Sequence, residues 1–397
     1  MEIRTIKDIE NLAGKKVLLR VDFNVPTNKT TGEIDDNTRI VESLPTIKFL
    51  IEKGAKIIIM SHLGRPDGEV KEDVRLTKVG EDLSKLLNKP VKKLDEVLSN
   101  NVKMEISKMQ NGDIILLENM RFRKEEEECE PNFTKELASF GEVFVNDAFG
   151  TAHRKHASTA GLANYLPSYA GFLMEKEITQ LSKVLYETPP RPITMIFGGS
   201  KIDTKIGIIQ HFLDKADYFL IGGGLANTFL FAKGVNIGNS LCEKDKIDIA
   251  KQIIEKLNSK EGALNLPTDV VIAKEISNEA QTEEVSIENL PDGMKILDIG
   301  SKTAKHFSEI IRKSGTVIWN GPVGVYEFKP FMNGTKEVAE AIANTKCISI
   351  IGGGDTADAV KKLGIPHEKF THISTGGGAC IEFLSGEKLP GIEILRK

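Results

Sequence analysis

Short runs of aliphatic and β-branched residues alternate with helical patterns along the whole of this 397-residue chain. Most of the runs are continuously apolar, as strands are when helices cover both faces of their sheet. Strands that alternate with helices are typical of parallel sheets built from β-α-β units, so the pattern predicts the α/β class. The predicted strands are Lys16–Val21, Lys56–Ser61, Asp113–Glu118, Glu142–Asn146, Ile193–Phe197, Tyr218–Ile221, Val270–Ala273, Lys295–Ile299, Thr316–Trp319, Ile348–Ile351 and Thr371–Ser374.

The first long helical pattern covers Thr38–Lys53. Asp36 or Asn37 is a suitable N-cap for this helix, and Gly54 is a suitable stop signal. Pro45 inside the pattern predicts a kink, because proline lacks the N–H group that the helix needs.

A second helical pattern, Phe172–Glu187, marks the predicted boundary between two domains. Pro189, Pro190 and Pro192 follow it and end the pattern. At about 1.5 Å per residue the helix would be about 24 Å long, which is enough to connect two α/β lobes. A chain of this length is expected to form two or three domains, although a helix internal to one domain has the same pattern.

The composition limits the classes of function that the chain can have. A formal net charge of -4 is too small to attract nucleic acid or an anionic membrane through the field of the whole molecule. The four cysteines are far apart, which argues against a zinc site or a disulfide framework and fits a reducing compartment. There is no signal peptide at the N-terminus and no apolar run near the roughly 18 to 20 residues that span a bilayer. The sequence therefore predicts a soluble cytoplasmic protein that binds neither nucleic acid nor membranes.

Charged and amide side chains follow the predicted strands of the first half, where parallel strands form the ligand-binding edge of a sheet. They are Asp22, Asn24, His62, Arg65, Arg121, Arg123, Asn146, Asp147, His153, Arg154 and His156, with Arg39 at the start of the first helix. Guanidinium groups bind phosphate and carboxylate oxygens bidentately, so the pattern predicts a pocket for a compact anion. A surface ion pair is the alternative for any one arginine. A metal site at His153 and His156 is disfavoured, because no third ligand stands at matching spacing.

The strand ends of the second half are rich in glycine. They read FGGSKIDTK from Phe197, IGGGLANTF from Ile221, IGGGDTADAV from Ile351 and STGGGACIEF from Ser374. Glycines between a strand and a helix let backbone N–H groups approach a phosphate. The segments match neither the P-loop pattern G-x-x-x-x-G-K-[ST] nor the nicotinamide fingerprint G-x-G-x-x-G.

Charged residues beside two of these segments indicate nucleotide chemistry. Lys201 and Lys205 follow the glycines of the first segment, and Asp355 and Thr356 follow those of the third. Lysines can bind phosphates, and one carboxylate can face a Mg²⁺-bound triphosphate, although Asp355 is also placed to cap its helix. An anion-binding lobe and a nucleotide-binding lobe together predict phosphoryl transfer, with closure to exclude water.

Eight ordered motifs closely resemble those of the phosphoglycerate kinase family, over essentially the whole chain. They are Val17–Pro26 (VLLRVDFNVP), Met60–Gly68 (MSHLGRPDG), Leu116–Phe122 (LLENMRF), Phe144–Arg154 (FVNDAFGTAHR), Phe197–Ile206 (FGGSKIDTKI), Trp319–Glu327 (WNGPVGVYE), Gly352–Ala357 (GGGDTA) and Ser374–Ala379 (STGGGA). The resemblance implies two Rossmann-like lobes with parallel sheets, joined by a connecting helix across a hinged cleft. It implies an ATP:3-phospho-D-glycerate 1-phosphotransferase of glycolysis and gluconeogenesis. Such an enzyme interconverts 3-phosphoglycerate plus ATP and 1,3-bisphosphoglycerate plus ADP by in-line transfer on domain closure.

The resemblance also implies the residues of the site. Implied phosphoglycerate contacts are Asp22, Phe23, Asn24, Arg39, His62, Leu63, Gly64, Arg65, Arg121 and Arg154. Implied nucleotide contacts are Lys201, Lys205, Gly223, Asn320, Glu327, Gly353, Gly354, Asp355 and Thr356, with Asp355 at the Mg²⁺ ion that accompanies ATP or ADP. Implied catalytic groups are Arg39, Lys201, Lys205, Gly376 and Gly377, which would neutralise charge on the transferred phosphoryl group. The attacking carboxylate belongs to the substrate and is ionised at neutral pH, so no catalytic base is required.

The family pattern implies a monomer with four segments. They are a phosphoglycerate-binding domain at 1–165, an interdomain helix and linker at 166–188, a nucleotide-binding domain at 189–374, and hinge glycines with a tail returning to the first domain at 375–397. The chain departs from the family pattern beside the implied functional residues, at Lys155, Ser200, Asn227, Cys380 and Ile381.

Two other classes of function are consistent with parts of the pattern. A nicotinamide dehydrogenase shares the α/β architecture but lacks its glycine fingerprint here. A two-lobed solute-binding protein would explain the arginines, but it would leave Lys201, Lys205 and Asp355 without a role.

Overall fold

The computed structural model describes residues 1–28 and 30–397 of the chain. These residues divide into two compact units, of which the first is Met1–Thr179 with Lys388–Lys397 and the second is Gln180–Glu387. The division falls inside the helix Phe172–Leu185, within the segment predicted to link the domains. The substrate predicted for each domain remains a prediction.

The first unit contains a parallel α/β sheet. In chain order its elements are β1 (Lys16–Arg20), α1 (Thr38–Glu52), β2 (Lys56–Met60), α2 (Thr77–Leu87), β3 (Lys92–Lys93), α3 (Asn100–Ser107), β4 (Ile114–Leu116), α4 (Lys124–Glu127), α5 (Pro131–Ala138), β5 (Val143–Asn146), β6 (Ser168–Ala170) and α6 (Phe172–Leu185), which continues into the second unit. The six strands are in the order β3-β4-β2-β1-β5-β6, and all five pairings are parallel. This arrangement confirms the α/β class predicted for the first half.

Helices cover both faces of this sheet. Val17 and Leu19 of β1 belong to the core on the face of α1 and α2, whereas Leu18 belongs to the core on the face of α3 and α5. Successive side chains of a strand point to opposite faces, so both faces of β1 must be apolar. Each such side chain stabilises the unit by about 1.5 to 3 kcal/mol on burial. The continuous apolar runs in the sequence follow from this two-sided burial.

Helix α1 begins where the sequence predicts. Its two candidate N-caps, Asp36 and Asn37, make different contacts. The carboxylate of Asp36 accepts a hydrogen bond from the Thr38 N–H at 2.8 Å. The side chain of Asn37 donates instead to Asp82 on α2, at 3.0 Å. The helix ends at Glu52, and Gly54 follows with a φ of 71°, in the left-handed region that favours glycine.

The second unit contains a parallel sheet and a smaller antiparallel sheet. In chain order its elements are β7 (Ile193–Phe197), α7 (Asp203–Phe212), β8 (Tyr218–Ile221), α8 (Gly223–Ala232), α9 (Ile247–Asn258), β9 (Leu264–Asn265), β10 (Asp269–Ala273), β11 (Glu283–Ser286), β12 (Lys295–Ile299), α10 (Ser301–Ile311), β13 (Thr316–Asn320), α11 (Asn333–Ala343), β14 (Ile348–Gly352), α12 (Gly354–Lys362), β15 (His372–Ile373) and α13 (Gly378–Leu384). The parallel sheet has the order β15-β14-β13-β7-β8-β9.

Two strands that the alternation assigned to a parallel sheet form the antiparallel sheet β11-β10-β12 instead. The chain between β10 and β12 holds β11 and a short 3₁₀ turn at Ile287–Asn289, with no α-helix in these described residues. A parallel connection needs a long crossover, usually a helix, whereas antiparallel strands do not. The prediction of parallel strands at Val270–Ala273 and Lys295–Ile299 was therefore wrong, although the strands themselves are present.

The C-terminal residues Lys388–Lys397 belong to the first unit and contain the short helix α14 (Pro390–Glu393). The N–H of Gly391 donates to the carbonyl of Ala152 at 2.8 Å, and the carbonyl of Leu395 accepts from the N–H of Arg4 at 2.7 Å. A Cβ on Gly391 would lie 2.9 Å from the Ala152 Cα, so glycine permits this close approach.

Two expectations from the composition concern cysteines and membranes. All four cysteines are free thiols. In the described part of the chain, none of the helices combines the length and the apolar character needed to cross a membrane.

Asp298 is a buried carboxyl group on β12. It accepts hydrogen bonds from the N–H groups of Gly334 at 2.8 Å and Ile299 at 2.9 Å. A Cβ on Gly324 would lie 2.1 Å from its Oδ1, so the loop after β13 packs directly on the carboxyl group. Burial raises the pKa of Asp298 to about 8, and among the described residues no cation pairs with it. The folded protein therefore favours the protonated carboxyl.

This pKa predicts that the free energy of unfolding decreases as the pH rises from about 4 to about 8, because the unfolded chain releases this proton first. Asp298→Asn removes that contribution while keeping one acceptor oxygen. Between about pH 5.5 and about pH 8.5 we expect a smaller loss of stability in this variant than in the wild type, measured by urea unfolding. Asp214→Asn, at an exposed position of the same unit, is the matched control and should leave the pH dependence unchanged. Equal pH dependence in Asp298→Asn and wild type would contradict the prediction.

Candidate active site

In the first unit, charged side chains meet where strand β1 ends. Asp22 forms an ion pair with Arg39 of α1 and is only 7% exposed. Burial by itself would raise the pKa of Asp22, but the charge of Arg39 and other cations outweighs burial and holds the pKa below its usual value. Asp22 is therefore ionised and fixes the position of the Arg39 guanidinium.

Hydrogen bonds join the loops that follow β1, β2 and β4. The side-chain oxygen of Asn24 accepts from the N–H of Gly64 at 2.9 Å, and the carbonyl of Gly64 accepts from Arg121 Nη1 at 3.0 Å. Phe23 and Leu63, on the same loops, are buried in the core on the α1 face. Their side chains anchor the loops, so any contact that they make with a ligand would come from the backbone.

Arg20, the last residue of β1, controls the hydrogen bonding of His62. Arg20 is 1% exposed, and its Nη2 lies 3.2 Å from His62 Nδ1. A guanidinium has no acceptor, so His62 Nδ1 accepts and the ring proton resides on Nε2. Burial lowers the pKa of His62 well below its usual value, so the ring is neutral. Arg20 thus makes His62 a neutral donor at Nε2.

Two further histidines lie among the arginines that follow β4 and β5. Burial, and then the charges of Arg154 and Arg121, lower the pKa of His153 to about 4. Burial and the charge of Arg121 lower the pKa of His156 to about 3. Both rings are therefore neutral at pH 7, and the positive charge of the cluster comes from guanidinium groups.

Arg65 and Arg154 are the exposed arginines of this region. Within residues 1–28 and 30–397, neither forms an ion pair, and the Arg65 side chain makes no hydrogen bond. Burial lowers the pKa of Arg121, the carboxylate of Glu127 at 3.1 Å opposes that shift, and the charge of Arg154 adds to it. Repulsion between guanidinium groups is relieved when an anion binds between them, so the basic cluster is suited to a compact anion.

Three predicted strand-end residues have structural roles instead. Arg123 pairs with Glu125 on α4, the helix that it directly precedes. The side chain of Asn146 donates to the carbonyl of Gly391 at 3.2 Å and so holds the C-terminal segment. Asp147 Oδ1 accepts from the N–H of Met174 at 3.1 Å, which caps the start of α6, and burial raises the pKa of Asp147 to about 7.

The glycine-rich turns of the second unit are joined by backbone hydrogen bonds. The N–H of Gly199 donates to the carbonyl of Pro322 at 2.8 Å, and the N–H of Gly223 donates to the carbonyl of Val323 at 2.8 Å. A Cβ on Gly198 would lie 2.0 Å from the Pro322 oxygen, so only glycine lets the turns after β7 and β13 come this close. The Gly223 N–H is engaged in these bonds and is not free to bind a phosphate.

A cavity of about 520 Å³ lies beside these turns. Its walls include Gly223, Leu241, Leu297, Glu327 and Asp355, and most of the wall is apolar. Sites for small molecules and cofactors typically measure roughly 300 to 1,000 Å³. The cavity therefore has the size and the mixed lining that a nucleoside with a charged tail requires.

Lys205 on α7 is partly buried, near the exposed carboxylate of Asp355. Burial lowers the pKa of Lys205 to about 8, and the charge of Asp355 opposes that shift. Most of the Lys205 population is still protonated at pH 7. Lys201, just before α7, is exposed. This end of the second unit therefore presents two cations and one carboxylate.

The turn before α12 is held by Asn320 and Thr356. The hydroxyl of Thr356 donates to the carbonyl of Gly352 at 2.9 Å and accepts from the N–H of Gly321 at 2.7 Å. The side chain of Asn320 donates to the same Gly352 carbonyl at 2.8 Å. Gly353 has a φ of 93°, which turns the chain into α12. The first N–H groups of α12 have no partners within the helix and form an anion-binding end.

The turn before α13 contains the two glycines that were predicted to bind the transferred group. The N–H of Gly376 donates to Ser374 Oγ at 3.1 Å, so this donor is already engaged. Gly377 has a φ of 50°, and among the described residues its N–H has no hydrogen-bond partner. Of these two amides, only that of Gly377 lacks a partner among residues 1–28 and 30–397.

Asp355 is the candidate ligand for a magnesium ion. The described part of the chain contains no cluster of three or more histidine, cysteine, aspartate or glutamate side chains that could hold a metal ion by itself. Mg²⁺ is usually held by one or two carboxylates together with substrate phosphates and water. The exposed carboxylate of Asp355 on the cavity wall fits a Mg²⁺ ion that arrives with a nucleotide.

Comparison with known proteins identifies the family. The family model for phosphoglycerate kinase matches residues 6–387. The chain is also 52% identical over 399 residues to the phosphoglycerate kinase of Dictyoglomus turgidum, with 100% of both chains covered. The chain belongs to the phosphoglycerate kinase family. A second relative, from Microcystis aeruginosa, is 51% identical over 389 residues, which cover 97% of this chain and 96% of the relative.

Solved phosphoglycerate kinase structures have the same fold. The Coxiella burnetii structure has a TM-score of 0.87 and 40% identity, and the Pyrococcus horikoshii structure has a TM-score of 0.87 and 34% identity. Each comparison covers 99% of this chain and 98% of the other. Family membership confirms the two α/β lobes and excludes the dehydrogenase and solute-binding alternatives.

The sequence analysis missed two groups of site residues. Arg20 could have been noticed, because it is a charged residue at the end of an apolar run and lies within the family motif Val17–Pro26. The cavity walls at Leu241 and Leu297 belong to elements far apart in the chain. No local pattern identifies such residues, because only the tertiary fold brings them to one surface.

We expect the His62 ring in the free protein to be neutral, with its proton on Nε2. Arg20→Met removes the donor to Nδ1, so protonation of Nδ1 toward Asp22 Oδ1, 3.8 Å away, becomes favourable. Nitrogen NMR of the ring in the full chain distinguishes the two tautomers. Arg121→Met is the control, because it removes one guanidinium of the cluster without touching Nδ1. A wild-type ring with its proton on Nδ1 at neutral pH would contradict the assignment.

Proposed function

We propose that this chain catalyses reversible phosphoryl transfer between ATP and the carboxylate of 3-phosphoglycerate, with phosphoglycerate bound to the first unit and nucleotide to the second. The observation that carries this division is the distribution of charge. Guanidinium groups of Arg39, Arg121 and Arg154 surround the strand ends of the first unit. The second unit has a largely apolar cavity with Asp355 on its wall. A small multiply charged anion suits the first site, and a nucleoside with phosphates suits the second.

In the first unit, the ionised Asp22 repels the charged ends of phosphoglycerate, so we assign it and Asn24 to the substrate hydroxyl. Arg39 and the neutral Nε2–H of His62 would bind the reacting carboxylate. The exposed guanidinium groups of Arg65 and Arg154, together with Arg121, would bind the 3-phosphate. The loops at Phe23, Leu63 and Gly64 would position these groups through their backbones.

In the second unit, we assign the cavity beside Gly223 to the adenine ring and the carboxylate of Glu327 to the ribose hydroxyls. The phosphates would lie against Lys201 and Lys205 and against the first turn of α12. The assigned residues of that end are Asn320, Gly353, Gly354, Asp355 and Thr356. Thr356 and Asn320 act mainly by holding the turn, because their hydroxyl and amide groups bond to its backbone.

Asp355 would hold the Mg²⁺ ion of ATP or ADP. When bound, such an ion neutralises charge on the phosphate oxygens. The carboxylate of Asp355 is exposed and lines the cavity, and its negative charge also supports the protonated state of Lys205.

The transfer step joins the substrate carboxylate oxygen to the terminal phosphorus of ATP and breaks the bond to the ADP oxygen. The carboxylate is already ionised, so no residue needs to remove a proton. Arg39, Lys205 and the amide of Gly377 would neutralise charge on the phosphoryl group during its transfer. Gly376 can contribute its N–H only after the bond to Ser374 Oγ opens. Closure on both substrates would exclude water, which otherwise hydrolyses ATP.

We also propose that the chain acts as a monomer in the cytoplasm. Four free thiols suit a reducing compartment, and ATP is abundant there. Light scattering after gel filtration measures the oligomeric state.

A coupled assay tests the proposed function directly. The purified chain is mixed with ATP, Mg²⁺ and 3-phosphoglycerate, and ADP formation is measured. Activity should require all three, and 2-phosphoglycerate should not replace 3-phosphoglycerate. ADP formation at the same rate without phosphoglycerate would indicate an ATPase and contradict the proposal.

Arg39 should act on the transition state and Arg65 on substrate binding. Removing one preorganised charge from a transition state costs about 10² to 10³ in turnover, so Arg39→Ala should lose on that order in kcat with a smaller change in KM. Arg65→Ala should mainly raise the KM for 3-phosphoglycerate, because the 3-phosphate does not react. Arg39→Lys should restore only part of the activity, since a point charge cannot reproduce the planar guanidinium. A raised KM with unchanged kcat in Arg39→Ala would show that Arg39 is only a binding group.

Asp355→Asn tests the magnesium assignment. The variant keeps the size of the side chain and its ability to cap α12, but it removes the charge. By calorimetry, binding of Mg-ADP should weaken much more than binding of metal-free ADP. Asp358→Asn, on the same helix, is the control and should preserve the difference between the two forms. Equal weakening of both forms in Asp355→Asn would leave only a capping role.

A further inference from the structure

Asn227 is a buried amide in the wall of the nucleotide cavity. It lies on α8, is 1% exposed, and lines the cavity together with Leu241. Polar side chains are seldom buried this completely without a full set of hydrogen bonds. The hydrogen bonds of Asn227 therefore indicate whether a ligand must supply a donor or acceptor that the protein lacks.

The amide of Asn227 has one satisfied end and one unsatisfied end. Its Nδ2 donates to the carbonyl of Leu241 at 3.2 Å. Because a carbonyl only accepts, this bond fixes which end of the amide is the nitrogen. Its Oδ1 is buried and has no hydrogen-bond partner among the described residues. A cavity-lining side chain thus carries an acceptor that lacks a donor, and burying it unpaired costs free energy.

The rest of the cavity wall near Asn227 is apolar and open. Leu241 is 61% exposed and Ile276 is 44% exposed, which is unusual for large aliphatic side chains that line a cavity. Leu297 contributes a further apolar surface. Flat apolar surfaces bind the faces of any purine equally well, so they cannot distinguish one base from another.

We propose that Asn227 Oδ1 accepts a hydrogen bond from the 6-amino group of adenine and selects adenine nucleotides over those with a 6-oxo base. This inference rests on the proposed function, because it requires a purine nucleotide in the cavity. Adenine presents an N–H donor at position 6, whereas hypoxanthine and guanine present a carbonyl oxygen there. Two acceptors facing each other in a buried site repel and leave both without a donor.

Asn239 offers a matched comparison within the same cavity. It also lines the wall, and its Nδ2 donates to the carbonyl of Gly293 at 3.3 Å. Asn239 is exposed, so water can satisfy its remaining acceptor. The two asparagines therefore differ in whether a bound base must supply the missing donor.

The test is the binding of ADP, IDP, GDP and purine riboside diphosphate to the full chain, measured by calorimetry. We expect IDP to bind about tenfold more weakly than ADP, since sites built to bond a polar group discriminate against analogues that lack it. Purine riboside diphosphate, which has only hydrogen at position 6, should bind with intermediate affinity. Equal binding of ADP and IDP to the wild type would overturn the proposal without any variant. Tighter binding of GDP than ADP would overturn it too, because Oδ1 would then accept from guanine.

Asn227→Leu preserves the approximate volume and removes the acceptor. The ratio of IDP to ADP dissociation constants should fall from about ten to about two or less, while Asn239→Leu should keep the wild-type ratio. An unchanged ratio in Asn227→Leu would overturn the proposal. Turnover of ATP with 3-phosphoglycerate is measured on the same wild-type preparation. A preparation that prefers ADP over IDP but transfers no phosphate would contradict the proposed function and not this inference.

Discussion

Parallel pairing within each six-stranded sheet brings the carboxyl ends of the strands to one edge, and the candidate site in each unit depends on it. In the first unit this edge gathers Asp22 and His62 beside Arg39 of the adjoining helix. In the second unit it gathers the turns after β7, β8 and β13, which bond to one another through their backbones. Residues distant in the chain become neighbours because their strands end together.

The first unit balances burial against positive charge. Burial lowers the pKa values of His62, His153 and His156, so the three rings stay neutral beside the arginines. Neutral rings donate hydrogen bonds without adding to the repulsion between guanidinium groups. The site therefore concentrates its positive charge in arginine side chains, whose planar geometry matches phosphate and carboxylate oxygens. This arrangement suits a substrate that carries both groups.

The second unit instead has glycines, which lack side chains, at the turns beside its cavity, where we propose that a nucleotide binds. Gly198 and Gly353 permit backbone contacts or conformations that a Cβ would obstruct. The remaining wall is largely apolar, so polar groups such as Asp355, Glu327 and the unpaired oxygen of Asn227 would orient a nucleotide in the proposed site. The proposed assignment of one substrate to each unit rests on these different surfaces, because the first suits a compact anion and the second suits a flat base with phosphates.

The sequence by itself determined the α/β class, most strands, the start of α1, and the family, because these depend on local periodicity and on motifs continuous in the chain. The antiparallel sheet β11-β10-β12 could not be recognised, since strand direction is set by the connection in space and not by the apolar run. Likewise, motifs identified Gly376 and His62, but tertiary contacts decided that the Gly376 amide is engaged and that Arg20 sets the His62 tautomer. Hydrogen bonding and burial depend on neighbours that only folding supplies.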